Sequence, residues 1–323
     1  MNTNLPVAQP RIWTCFVYPL VALVVAVVLQ GLMGVVMALS MIADGVAPGD
    51  VAEKIMEQVA NPGFFLLNLA LGQFAFALLV IVPAFFSKGQ AVTERLGLRP
   101  VERPLEVYAY TLTGSMFMLT IAIGAAYLVA MIGPRDDSIA TFFENITPGW
   151  GVLFVITIAL LPGFIEELLF RGYIQQRFLT RWSPTTSILV TSVLFALVHI
   201  MPPAIALAFI LGIWLGFIGW RTHSILPCIA CHAFINGGLN AWRLIAIFGE
   251  LSEMTVNIVH VTLTIIGLIG FVLAIRLLLQ LEPPTSTPMV TETLEHEPLP
   301  IDGELNPYQP PSKTIQPETP PAE

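Results

Sequence analysis

The chain has 323 residues, 55% of them hydrophobic and only 11% charged, with a mean hydropathy of +0.78. Soluble domains carry about 25% charged residues, so this composition is that of a polytopic membrane protein. The net charge of -8 sits almost wholly after residue 281, where eight acidic residues face one basic residue, Lys313. The remaining body is close to neutral, which excludes nucleic-acid binding, because that needs a basic face.

A membrane-crossing helix needs about 20 mostly apolar residues. That length predicts eight spans, at 13–43, 62–86, 106–132, 150–172, 184–201, 203–220, 224–248 and 257–281, and an all-α transmembrane bundle. The first run is too long for a signal peptide and lacks a basic leader, so it reads as a span. Lys and Arg alternate between loops: Arg11, then Lys88, Arg95, Arg99 and Arg103, then Arg177 and Arg181, then Arg221, then Arg276 lie on one side. The other side holds only Lys54 and Arg135 amid acidic residues. Basic loops stay inside, so both termini are expected in the cytoplasm, and the compact body suggests a prokaryotic inner membrane. Residues 282–323 are rich in Pro, Thr and Glu and poor in large apolar residues, which predicts a disordered acidic tail. The expected organisation is spans 1–2 with a basic loop (1–105), a main membrane bundle (106–281) and the tail (282–323).

Against this background, the run GFIEELLFRGYIQQRF stands out, because Glu166 and Glu167 lie inside an apolar helix with Arg171 a turn further on. An ionised side chain in hydrocarbon costs at least ~2.5–3.5 kcal/mol, so two adjacent carboxylates require partners. Glu167 and Arg171 are four apart and share a face. Glu166 points about 100° away, free to face a cavity. Other apolar runs supply Phe195 and His199, four apart, and His232, Asn236 and Asn240 at the same spacing. Helical rise places Glu166, His199 and His232 at similar depth, toward the inner half of the bilayer. Pro162 and Gly163 are expected to loosen the helix before the glutamates, as is tolerated beside a protein cavity.

A carboxylate and an imidazole can hold a water and take its proton as it attacks a carbonyl. A second imidazole and an amide NH₂ can then stabilise the oxyanion. Amide hydrolysis follows from those residue types. The plain readings are that each His or Asn bridges helices, that Phe195 is core, and that Glu167–Arg171 is a staple. They leave Glu166 unexplained.

EELLFR, FALVH and HAFIN fit the patterns EExxxR, FxxxH and HxxxN, in that order and on separate spans. Together with RLGLRP before the third span, they make the stretch from Arg95 to Ile247 resemble the CPBP intramembrane proteases, which include CAAX prenyl endopeptidases, bacteriocin-processing relatives and Abi-type proteins. The resemblance implies an endopeptidase acting on a membrane-associated, CAAX-like or leader-type peptide. It assigns Glu166 and His199 to water activation, His232 and Asn236 to the oxyanion, and Glu167 and Arg171 to support. Such proteins are commonly labelled metalloproteases. Here Glu166, His199 and His232 would be the ligands of zinc or another divalent metal, but no HExxH occurs, and no obligatory cofactor is expected.

CIACH (Cys228–His232) matches the haem-attachment pattern C-x-x-C-H. No haem is expected, since that use of His232 would strip Glu166 of its partner. The three cysteines, Cys15, Cys228 and Cys231, all lie in apolar runs and form no disulfide framework. Gly212 and Gly216 form a GxxxG that reads as close helix packing. Two rival functions are a proton-coupled transporter, against which there is no inverted repeat, and a non-catalytic scaffold or immunity protein.

Overall fold

The computed structural model describes residues 11–59, 61–86, 91–133, 142–144 and 146–281. The acidic tail expected at 282–323 lies outside them, as do Lys88 and Arg135. Among the described residues every regular element is a helix. The elements are α1 (Thr14–Ala43), α2 (Val51–Val59), α3 (Pro62–Phe86), α4 (Val92–Arg95), α5 (Pro104–Ile132) and α6 (Pro148–Glu167). A π-helical segment, π1 (Leu168–Gln175), carries α6 directly into α7 (Gln176–Leu179). Then come α8 (Pro184–Leu197), α9 (Pro202–Thr222), α10 (Leu226–Phe248) and α11 (Glu253–Gln280).

Local chemistry explains the boundaries. Proline stands in the first turn of α5, α6, α8, α9 and α10, where its missing N–H is one of the unbonded donors anyway. Ser183 and Ser252 cap α8 and α11 by accepting from the backbone N–H of Thr186 and Thr255, each at 3.2 Å. The C-terminus of α11 is held from the side: Arg221 donates to the carbonyls of Leu278, Leu279 and Leu281, which that helix end leaves without intrahelical donors.

All eight expected spans exist as helices, but six are long and apolar enough to cross a membrane on that ground alone. The protein is an integral, multi-pass membrane protein. The fifth expected span, 184–201, is a correction. Its helix α8 has 14 residues and stops at Leu197, about 21 Å of helix against a hydrocarbon core of about 30 Å. The seventh, α10, has 23 residues and is diluted by His232, Asn236, Asn240 and Arg243. These two carry the FxxxH and HxxxN patterns, the first running on into the turn after α8, whereas EExxxR lies on α6 and π1.

Large apolar side chains of α1, α5 and α11 face outward, as lipid-facing helices require. Inward, small residues let backbones approach. A Cβ on Gly114 of α5 would lie 2.9 Å from Phe271 Cα of α11. The GxxxG of α9 behaves as expected: a Cβ on Gly212 would lie 3.1 Å from Ser192 Cβ of α8, and one on Gly216 would lie 3.0 Å from Ile188 Cγ2. Gly114→Val should therefore force α5 and α11 apart and destabilise the protein by about 1–3 kcal/mol, read as a lowered thermal unfolding midpoint in detergent.

Candidate active site

Glu167 and Arg171 are both fully buried, and Arg171 Nη1 donates to Glu167 Oε1 at 2.7 Å. Four-residue spacing predicts that pair, and it persists although π1 begins at Leu168 between them. The same oxygen of Glu167 also takes Nδ1 of His232, from α10, at 2.8 Å. Arg171 Nη2 donates to the carbonyl of Gly212 at 3.0 Å. Arg171 Cζ lies 4.4 Å from the centre of the Phe195 ring. Phe195 also packs edge-on against His199 and His232, with centroids 5.1 and 5.8 Å away. It is core, and it is the ring on which both imidazoles rest.

Glu166, 8% exposed, points elsewhere, as the 100° offset requires. Its Oε1 accepts from Gln73 Nε2 of α3 at 2.8 Å. Its Oε2 is buried without a protein partner and lies 4.0 Å from His232 Nε2. That separation is too long for a hydrogen bond and is the span one bridging water closes.

His199 is a second correction. It is not on a helix but in the turn after α8, where its Nδ1 lies 2.9 Å from the Phe195 carbonyl oxygen. A carbonyl only accepts, so Nδ1 carries the proton and Nε2 keeps a lone pair. The residue after it, Ile200, has φ +62°, a left-handed conformation costly for a β-branched side chain. The turn that carries His199 is thus held under strain.

Asn236 donates from Nδ2 to the Ile158 carbonyl of α6 at 3.3 Å, and its own backbone carbonyl takes Asn240 Nδ2 at 2.8 Å. Ile158 stands four residues before Pro162. Proline has no N–H, so this carbonyl lacks its helical donor, and Asn236 supplies one from the neighbouring helix. The expected loosening at Pro162 and Gly163 is therefore corrected: α6 runs unbroken through both residues. A Cβ on Gly163 would lie 3.1 Å from Ala233 N, so this glycine serves the close approach of α6 and α10. The helix opens later, in π1.

Glu166, Phe195, His199, His232 and Asn236 line one cavity of about 250 Å³ together with Gln73, Pro162 and apolar residues of α9. The sequence reading missed Gln73, although a lone amide inside the apolar run LALGQFAFALLV is a signal of the same kind as the glutamates. Zinc or another divalent metal would draw on Glu166, His199 and His232, but among the described residues no three His, Cys, Asp or Glu side chains are grouped to hold an ion. Cys228 and Cys231 are buried free thiols, with Cys228 Sγ donating to the Leu215 carbonyl at 3.2 Å.

A bundle of membrane helices that gathers a carboxylate, two imidazoles and two amides around one small cavity holds the residue types of an intramembrane hydrolase. Residues 148–238 match the family model described as Rce1-like, type II CAAX prenyl endopeptidase. That segment carries all three motifs, and the match supports assignment to the CPBP/CAAX protease family. No curated protein and no solved structure matches the chain.

Removing one partner of a buried ion pair strands the other charge, at about 3–5 kcal/mol. Arg171→Met should lower the unfolding midpoint strongly, and adding Glu167→Gln should recover part of the loss. Equal destabilisation by the single and double variants would show that the pair is not the buried contact described here.

Proposed function

We propose that this protein is an intramembrane endopeptidase that cleaves a membrane-associated, CAAX-like or leader-type peptide by general-base activation of water. The observation that carries the reading is the unpartnered, buried Oε2 of Glu166, which faces a cavity shared with His199, His232 and Asn236.

In the proposed reaction a water is held between Glu166 Oε2 and the lone pair on His199 Nε2. Glu166 takes one proton as the water oxygen bonds to the scissile carbonyl carbon. The oxyanion receives hydrogen bonds from His232 and from the amide hydrogen that Asn236 does not spend on Ile158. His232 can donate through Nε2 only as imidazolium, because Nδ1 already faces Glu167. Collapse of the intermediate breaks the C–N bond, and the proton held by Glu166 passes to the leaving nitrogen. Arg171 and Phe195 keep Glu167 and the two imidazoles in place.

No step in this scheme needs a metal. The basic residues at Arg95–Arg103 and Arg177–Arg181 support an orientation with the cavity nearer the cytoplasmic face. Two other classes, a proton-coupled carrier and a non-catalytic scaffold, make opposite demands on Glu166, so one substitution separates them.

Glu166→Gln should lower cleavage of a farnesylated CAAX-type peptide or an unlipidated leader-type peptide by about 10²–10⁴-fold, with expression and unfolding midpoint retained. Full cleavage by that variant removes the mechanism, and a transport activity lost with it instead favours the carrier. A chelator should leave the wild-type rate unchanged; a loss restored by added zinc would overturn the metal-free scheme. For orientation, a cysteine placed at Thr180 should react with a membrane-impermeant maleimide only from the cytoplasmic side, since the native cysteines are buried.

A further inference from the structure

Gln73 reaches the site from α3, a helix outside the segment that matches the family. It is 7% exposed and makes its hydrogen bond to Glu166 across 93 residues of chain. Its own Oε1 is buried without a partner. A primary amide in mid-span is costly unless it is engaged, and this one is engaged at one end only.

The chemistry of a general base explains why an amide suits this position. A carboxylate that removes a proton and later returns it exists in two states during each turnover. Ionised, it only accepts hydrogen bonds; protonated, it also carries an O–H that needs an acceptor. A lysine beside it offers donors alone and an aspartate offers acceptors alone. Glutamine offers a donor and an acceptor, exchanged by half a turn about its last bond. As placed, Nε2 faces Glu166, which matches the ionised base waiting for water. After the flip, the now unpartnered Oε1 would face the protonated acid.

We propose that Gln73 is the positioning residue for Glu166, holding its carboxyl group through both protonation states by an amide flip. The proposal rests on Glu166 being the general base. It makes the second predicted span a part of the active site.

The test uses the full-length protein in detergent or proteoliposomes, with Gln73→Leu and Gln73→Lys beside Glu166→Gln. The two peptides named above report kcat and KM. Reaction of Glu166 with dicyclohexylcarbodiimide, which attacks protonated intramembrane carboxyls, is followed by mass spectrometry and needs no substrate. Gln73→Leu should lower kcat by about ten- to a hundred-fold, the loss of one hydrogen bond to a charged group, with KM little changed. It should also label faster at Glu166, and Gln73→Lys should label more slowly while also losing kcat. A residue that merely packs would move both labelling rates the same way. Unchanged labelling in both variants, or full kcat in Gln73→Leu while Glu166→Gln is inactive, overturns the proposal. Full activity in Glu166→Gln overturns the catalytic reading instead, and the labelling rates still decide whether Gln73 holds that carboxyl.

Discussion

A single buried oxygen organises this bundle. Glu167 Oε1 is shared by Arg171, one turn along its own helix, and by His232 on α10. A lone carboxylate in this place would be expelled or neutralised, and a lone guanidinium would fare no better. Together they neutralise one another, and the arginine also donates from Nη2 to Gly212 on α9 and stacks on Phe195 of α8, leaving its Nε and Glu167 Oε2 without a partner. Four helices thus meet at one charge, which fixes their register as well as their proximity. Glu166, next in the chain, is turned by helical geometry into the space that this closure leaves.

The glycines and the proline serve the same closure. Gly212 lets α9 lie close against Ser192 and Phe195 of α8, and Gly163 lets α10 come close enough to α6 for His232 to meet Glu167. Pro162 leaves one carbonyl of α6 unbonded, and Asn236 satisfies it. Two residues named by the motifs thus have a structural duty in addition to any chemistry. His232 bonds Glu167 with one ring nitrogen and offers the other to the cavity. Asn236 bonds Ile158 with one amide hydrogen and keeps the second.

The π segment and the short α8 mark where regular structure gives way to placement. An i→i+5 turn widens the helix just beyond the glutamates, and Arg171 and Gln175 project from it to the carbonyls of Gly212 and Gly216. Ending α8 at Leu197 frees the next residues to turn, which brings His199 to the cavity on a strained backbone with Nδ1 tied to Phe195. Such strain near a site survives only where its surroundings over-determine it.

Much of this was legible from the chain alone. Hydropathy and length placed eight helices, because in hydrocarbon every backbone group must bond within its own segment. Four-residue spacing paired Glu167 with Arg171, and cost in the bilayer singled out Glu166, His199, His232 and Asn236. The tertiary structure decided what periodicity cannot express. It set His232 Nε2 4.0 Å from Glu166 Oε2, moved His199 off its helix, matched Asn236 to a proline-orphaned carbonyl, and brought Gln73 in from a distant span. Each of these is a contact between segments far apart in sequence, set by how closely backbones pack, and helical spacing constrains only residues on the same helix.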